Sequence, residues 1–215
     1  MGVPEAYSEQ KEACESHVAF CKHFGLDPTV IINTYRTRYT DELISWYSEH
    51  FRVTELIHEK PIGYEALIKA AMSLVTDVES EFILFVRIDI LLKPKFLDVF
   101  SVRENLTFSS VCFTKDNFHV IPSSGLPRVA DLILYVPKRF FHLKINLSHD
   151  SYQYYINEGL SHGDIDFFLD TFHDSDSEKD FNPLYKIVNR PVCLTWYDEG
   201  KSVSQVFIGL RDPST

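Results

Sequence analysis

The chain has 215 residues, of which 45% are hydrophobic and 24% charged, and its net charge is −10 at pH 7. This length and composition indicate one folded domain over residues 1–215 rather than a disordered chain. Nucleic-acid-binding domains present a basic face, so the acidic balance predicts no nucleic-acid partner. No apolar run reaches the roughly 18 residues of a membrane span, and the N-terminus lacks the apolar core of a secretory signal. We expect a cytoplasmic domain whose last residues, RDPST, are typical of a linker to a further module.

The hydrophobic pattern predicts alternating helices and strands in the first 90 residues. In chain order these are a helix from Ser8 to about His23 that Gly25 ends, a strand at 29–33, a helix that Thr40 caps, a strand at 52–58, a helix at 64–75 and a strand at 81–88. The last of these strands is the most apolar, and we expect it at the centre of the sheet. This alternation favours an α/β fold with a mainly parallel central sheet flanked by helices.

The second half of the chain is predicted to be more helical. After a short helix from Pro94, strands are predicted near 106–113 and at 131–136, with a turn at 122–125 between them. Beyond Asn146 the spacing predicts helices from His149 to about Asp170 and over 183–189. Two late strands, at 192–196 and 203–208, are expected at the edge of the sheet. The cysteines show no CxxC spacing, so we expect free buried thiols.

Several common nucleotide-binding and hydrolase motifs are absent. The chain has eight glycines, and no two of them form a GxG pair. This excludes the GxGxxG dinucleotide turn. The GxxxxGK[ST] phosphate loop, GxSxG and HExxH are absent as well. A nucleotide bound by this sheet would therefore need side chains or a metal ion to neutralise its phosphates.

The central strand supplies such groups. In open α/β sheets ligands bind at the carboxyl ends of the parallel strands. Arg87 and Asp89 follow the apolar run and stand two residues apart, so on an extended chain they point to the same side. A carboxylate can hold Mg²⁺ or Mn²⁺, and a guanidinium can bind phosphate through its planar fork. The alternative interpretation is an ion pair that closes the strand end without a ligand.

The run EFILFVRIDILLKPKFLDVF resembles the metal-binding strand of the GT-A glycosyltransferases, in which a DxD motif follows an apolar strand. Asp89 stands on the second acid of that motif and Arg87 replaces the first, a variant that occurs among bacterial and viral members. TVIINTYRTRYTDELISWY resembles the first strand and the nucleotide-binding loop of the family. By this match, nucleotide-binding residues are Thr34, Tyr35, Arg36 and Arg38, with Arg87. DLILYVP, at 131–137, resembles the strand that lines the donor sugar.

The resemblance implies a GT-A-like (Rossmann-like) fold and a glycosyltransferase of hexosyltransferase type. The enzyme would move a sugar from a nucleoside-diphosphate sugar, with a UDP-sugar as first choice, to a hydroxyl of a glycan or glycoprotein acceptor. Mn²⁺ or Mg²⁺ would be held by Asp89, and Asp131 would face the reacting sugar. In SHGDIDFFLD, Asp164 would be the catalytic base of an inverting enzyme. The nucleotide-binding half would span about 28–100, and the sugar and acceptor half about 101–200.

Other interpretations remain open at this point. A metal-dependent nucleotidyltransferase or phosphodiesterase could use the same acids, although the glycine-free TYRTR loop counts against it. A nucleotide-sugar-binding module without catalysis is favoured by the missing first acid of the DxD motif. Asp164 and the acids that follow it could instead form a solvated helix start.

Overall fold

The computed structural model describes residues 3–36, 40–59, 64–75, 80–88, 90–111, 125–130, 132–148, 150–169, 183–187 and 205–211. Its helices are α1 (Val3–His23), α2 (Thr40–Ser48), α3 (Tyr64–Val75), α4 (Pro94–Val99) and α5 (Ser151–Asn157). Its strands are β1 (Asp27–Tyr35), β2 (Arg52–His58), β3 (Ser80–Arg87), β4 (Ile90–Leu92), β5 (Leu106–Ser110), β6 (Ile133–Pro137), β7 (Ile165–Leu169), β8 (Tyr185–Ile187) and β9 (Gln205–Arg211). Short 3₁₀ helices lie at Lys138–Phe140 and His162–Asp164.

The fold is mixed α/β, with a large sheet in the order β2-β1-β9-β3-β6-β5-β7 and a small sheet of β4 and β8. The pairs β1–β2 and β5–β7 are parallel, whereas β9 and β6 are antiparallel to the strands on both sides of them. Consequently β1, β2, β3, β5 and β7 all point the same way. The prediction that β3 is central is confirmed, and the prediction of a mainly parallel sheet is corrected to a mixed sheet.

Helices cover both faces of this sheet. One apolar cluster joins alternate residues of β1 and β3 to Phe20 of α1, Tyr47 of α2 and Phe96 of α4. A second cluster joins the intervening strand residues to Ile68 of α3 and Tyr155 of α5. Because β3 is buried on both faces, its sequence is an almost continuous apolar run. Cys14 and Cys21 of α1 are buried free thiols, as expected.

The predicted end of α1 is confirmed and its predicted start is wrong. Gly25 has a φ of 64°; its N–H donates to the Lys22 carbonyl, and the Leu26 N–H donates to the Cys21 carbonyl. This pair of bonds is the Schellman motif, which needs a residue in the left-handed conformation. The helix begins at Val3, so Ser8 lies inside it rather than at its cap. Pro4 does not prevent the earlier start, because proline is tolerated in the first turn.

We expect Gly25→Ala to destabilise the protein by about 1 kcal/mol, because alanine in the left-handed conformation is strained. A Cβ at this position meets nothing within 4 Å, so the expected cost is conformational rather than steric. Urea unfolding of this variant is compared with that of Gly163→Ala, whose Cβ makes an ordinary contact of 3.7 Å with Ser161 Oγ. Equal stability of the two variants would contradict the assignment.

Two predictions for the C-terminal part are wrong. The helix expected over 149–170 ends at Asn157, because Gly159 takes a φ of 100° and a second Schellman motif follows. The chain then forms β7, parallel to β5. The helix expected over 183–189 contains the short strand β8 instead, which pairs with β4.

The last predicted strand exists, but its expected position is wrong. β9 pairs with β1 on one side and β3 on the other, so it lies inside the sheet rather than at its edge. Of the turn predicted at 122–125, residues 122–124 lie outside the described residues and Gly125 has a φ of 69°. The strand predicted at 192–196 also lies outside the described residues.

Candidate functional site

The five strands of the large sheet that point the same way end at one edge, which we call the carboxyl edge; β1, β2 and β3 are the ones next to the predicted site residues. β1 ends at Tyr35, β2 at His58 and β3 at Arg87. β6 begins at the same edge, because the Arg87 N–H donates to the Leu132 carbonyl at 3.3 Å. The carboxyl edge thus collects the ends of β1, β2 and β3 and the start of β6.

Two of the three predicted carboxylates of the site, Asp89 and Asp131, adjoin this edge in the chain. Asp89 is bonded to Ile88, directly after β3, and Asp131 is bonded to Leu132, directly before β6. Both aspartates lie outside the described residues. The hydrogen bond between Arg87 and Leu132 brings together the chain segments that precede Asp89 and follow Asp131. The roles of the Asp89 and Asp131 side chains stay predictions.

Arg87 shares a sheet face with a polar residue of β1. Asn33 of β1 and Arg87 of β3 both pair with Gln205 of β9. Directly paired residues lie on the same face of a sheet, and two strand spacings separate their backbones by roughly 10 Å. The Arg87 side chain is partly buried. Arg87 and Asn33 therefore lie on the same face of the sheet, the face on which α3 packs.

Asn33 and His58 form a hydrogen-bonded unit that the sequence analysis did not include among the site residues. Asn33 is fully buried; its Nδ2 donates to the Leu67 carbonyl of α3 at 2.5 Å, and its Oδ1 lies 2.9 Å from His58 Nε2. Since Oδ1 can only accept, His58 carries a proton on Nε2. The signal in the sequence was Asn33, the one amide side chain in the apolar and β-branched run of β1. This unit fixes the end of β2 against β1 and α3.

The nucleotide-binding residues predicted on β1 and the following loop differ in accessibility. Thr34 is 1% exposed and belongs to the packed interior. Arg36 is exposed; its Nη1 lies 2.7 Å from Asp41 Oδ1 and its Nε lies 3.7 Å from Glu59 Oε1. Exposed ion pairs contribute only about 0.2–1 kcal/mol, so an anionic ligand can compete for this guanidinium. The Tyr35 side chain and Arg38 lie outside the described part.

Asp164 lies at the opposite edge of the sheet. It directly precedes β7, which runs parallel to β5 and therefore in the same direction as β3. A strand of five residues spans roughly 16 Å, so the sheet separates the start of β7 from the carboxyl edge. The structure does not bring Asp164 together with Arg87 and the chain neighbours of Asp89.

The Asp164 carboxylate already has several partners. Its Oδ2 accepts from the Ser161 N–H at 2.9 Å and from the Ser161 hydroxyl at 2.6 Å, and its Oδ1 lies 3.2 Å from Arg139 Nη2. The hydrogen bonds from Ser161, with the charge of Arg139, hold the pKa of Asp164 below its ordinary value. A carboxylate that stays ionised and caps its own 3₁₀ turn is a structural group rather than a good proton acceptor.

Neither a metal cluster nor a membrane span is found in the described part of the chain. No group of three or more histidine, cysteine, aspartate or glutamate side chains that could hold a metal ion occurs among the described residues. The described helices include none long and apolar enough to cross a membrane. Asp89 lies outside the described residues, so its role as a metal ligand stays a prediction.

Comparison of the chain with protein-family models, with curated proteins and with solved structures found no match.

Proposed function

We propose that the chain is a glycosyltransferase that binds a nucleoside-diphosphate sugar, with a UDP-sugar as first choice, at the carboxyl edge. The acceptor would be a hydroxyl of a glycan or glycoprotein. The observation that carries the proposal is the position of Arg87 at the end of the central strand, where β1 and β2 also end and β6 begins. Ligands of open α/β sheets bind at such edges.

The chemistry required is stabilisation of a leaving diphosphate. As the bond to the anomeric carbon breaks, negative charge develops on the diphosphate oxygens, and preorganised cations lower the energy of that state. Arg87 would contact the diphosphate through its guanidinium fork, and Arg36 can reach an anion by releasing Asp41 and Glu59. Mn²⁺ or Mg²⁺ held by Asp89 would add Lewis-acid stabilisation of the same charge.

The sugar would lie toward the start of β6. Asp131 is bonded to Leu132, whose carbonyl accepts from the Arg87 N–H, so a carboxylate there would follow the diphosphate site directly. A nearby carboxylate stabilises the positive charge that develops on the sugar ring. Asp164 has no part in this mechanism, because it lies at the other edge and is hydrogen-bonded to Ser161 and Arg139.

A second candidate is a nucleotide-sugar-binding module without catalysis. Arg87 stands where the first acid of a DxD motif would bind metal, and the described residues alone supply no metal cluster. This candidate predicts nucleotide binding without sugar transfer, whereas the glycosyltransferase predicts both.

The experiment is thermal unfolding of the chain with UDP and UDP-sugars, each with Mn²⁺ and with EDTA. A ligand at about 100 times its Kd stabilises by about 2.7 kcal/mol, which for this chain length raises Tm by roughly 5–10 °C. We expect a Mn²⁺-dependent rise with UDP and UDP-sugars and none with ATP or NAD. The UDP-sugar that gives the largest rise in Tm is then tested for UDP release. Release identifies a glycosyltransferase, and binding without release identifies a binding module. No rise with any nucleotide would contradict both.

A further inference from the structure

An exposed arginine at the carboxyl edge is held between two carboxylates. Arg36 follows β1 directly, and its Nη1 lies 2.7 Å from Oδ1 of Asp41, in the first turn of α2. Its Nε lies 3.7 Å from Oε1 of Glu59, the residue after β2. One positive charge thus faces two negative charges, and the three groups together are net negative.

The backbone of Arg36 is fixed by the sheet. Its N–H donates to the His58 carbonyl at 3.0 Å, which continues the parallel pairing of β1 and β2 beyond the pair of Tyr35 with His58. The His58 side chain is in turn hydrogen-bonded to the buried Asn33. The backbone of Arg36 therefore has a defined place at the carboxyl edge, and only its long side chain has to move for it to change partner.

The position of Asp41 is fixed by α2. Thr40, the first residue of the helix, is buried, and Leu43 and Ile44 belong to the apolar cluster that α2 shares with the sheet. The Asp41 side chain itself is 86% exposed. A carboxylate in the first turn of a helix is stabilised by the helix dipole, so Asp41 keeps a favourable environment when Arg36 leaves it.

The two ion pairs hold Arg36 weakly. The side chains of Arg36 and Glu59 are 44% and 77% exposed, and exposed ion pairs are weak because water screens their charges. Asp41 accepts a hydrogen bond from Nη1, whereas a phosphate group can accept two parallel N–H bonds from the planar guanidinium fork. A diphosphate can therefore displace both carboxylates from Arg36.

We propose that Asp41 and Glu59 are internal competitors for Arg36: they bind its guanidinium when no ligand is present, and they release it when the diphosphate of the ligand binds. This exchange sets the affinity of the carboxyl edge for a nucleoside diphosphate and selects against anions that make a single weak contact. The inference rests on the proposed function, in which Arg36 is one of the cations that receive the diphosphate.

Removal of a competitor should tighten anion binding. Asp41→Asn keeps the size of the side chain and removes its charge, so we expect UDP to bind about two- to fivefold more tightly, the range that an exposed ion pair supports. Glu59→Gln should have a smaller effect, because its oxygen lies 3.7 Å from Nε. Titration calorimetry measures the UDP affinity in EDTA and at low ionic strength, because salt screens exposed charges.

Two control variants separate competition from a general change in charge. Glu42→Gln removes the neighbouring carboxylate in the same turn of α2. Asp27→Asn removes the carboxylate that lies 3.5 Å from Arg52 at the amino ends of β1 and β2. Both substitutions should change the UDP affinity by less than about 1.5-fold, because only charges in contact with the guanidinium compete for it.

An Arg36→Gln background tests whether the competition acts through the guanidinium. Arg36→Gln alone should weaken UDP binding at least about threefold, because a charged hydrogen-bond donor is lost. Adding Asp41→Asn should then change the affinity no further, because no guanidinium is left to compete for. Inorganic pyrophosphate is titrated in parallel, since it carries the diphosphate charge without the nucleoside.

The outcomes separate the two proposals. Tighter binding in Asp41→Asn that is absent from Glu42→Gln and from the Arg36→Gln background supports the exchange. If the wild-type chain binds UDP and Asp41→Asn does not tighten it, or if the gain appears in Glu42→Gln or persists without Arg36, the exchange is wrong and the proposed function stands. If pyrophosphate shows the expected pattern and UDP binds no more tightly than pyrophosphate, the exchange stands and the proposed function fails. If neither anion binds to any variant, both proposals fail.

Discussion

Asp89→Ala is expected to remove the Mn²⁺-dependent part of UDP binding. Loss of groups that only support a metal ligand commonly costs about 10- to 100-fold in metal affinity, so loss of the ligand itself should cost at least about 100-fold. UDP affinity in EDTA should fall little, because Arg87 and Arg36 remain. Calorimetric titration of UDP with Mn²⁺ and with EDTA measures both quantities.

A matched control for this variant lies on α4. Asp98→Ala removes an exposed carboxylate that is 3.9 Å from Lys95 Nζ and outside the carboxyl edge. We expect it to bind UDP and Mn²⁺ as the wild-type chain does. If Asp89→Ala and Asp98→Ala behave alike, the assignment of Asp89 as a metal ligand is wrong.

Asp131→Asn is expected to remove sugar transfer while leaving nucleotide binding almost unchanged. Asparagine keeps the size of the side chain and removes its charge, which is the property that stabilises a positively charged sugar ring. Groups that act on the reacting atoms typically contribute 10²- to 10⁴-fold in rate. We expect kcat to fall at least about 100-fold and the Kd of UDP to change less than threefold, measured by UDP release and by calorimetry.

Asp164→Asn is the control for Asp131→Asn. The same substitution at the opposite edge should change kcat less than threefold, because Asp164 caps a 3₁₀ turn and contacts Arg139 there. A loss of about 100-fold in this variant would contradict its placement outside the site and would restore it as the catalytic base. Full activity of Asp131→Asn would remove Asp131 from the mechanism.

The sequence predicted those elements whose limits are decided locally. β2 and α3 have the predicted bounds, since a β-branched run and a helical apolar spacing lie between clear turn residues. The end of α1 was predictable because Gly25 is one of few residue types that take a left-handed conformation without strain. β3 was identified as central because both of its faces are apolar.

The sequence did not predict elements that depend on distant partners. The segment from Ile165 to Leu169 continues a helical pattern, yet it forms β7 because β5 offers it a parallel edge. β8 is a strand because it pairs with β4 rather than because of its own composition. Tertiary pairing overrides local preference in such short segments.

The site was predictable only in part for the same reason. The Arg87-Ile88-Asp89 motif is contiguous in the sequence, and Arg87 is the last residue of β3. The contacts that support this edge join residues far apart in the chain: Asn33 with His58, Asn33 with Leu67, and His17 with Ile90. Asp164 was grouped with the site because the resemblance of SHGDIDFFLD implied a catalytic base there, whereas strand direction, which sequence does not report, places it at the other edge.

The position of β9 has a consequence for how the protein forms. β9 supplies the pairing that joins β2-β1 to β3-β6-β5-β7. During synthesis, the edges of β1 and β3 that pair with β9 stay unpaired until residues 205–211 have left the ribosome. Pairing between strands that are far apart in the sequence is slow. Meanwhile an unpaired strand edge can pair with another chain, which leads to aggregation. We therefore expect the two halves of the carboxyl edge to be joined late in folding, and the nascent chain to depend on chaperones until β9 is inserted.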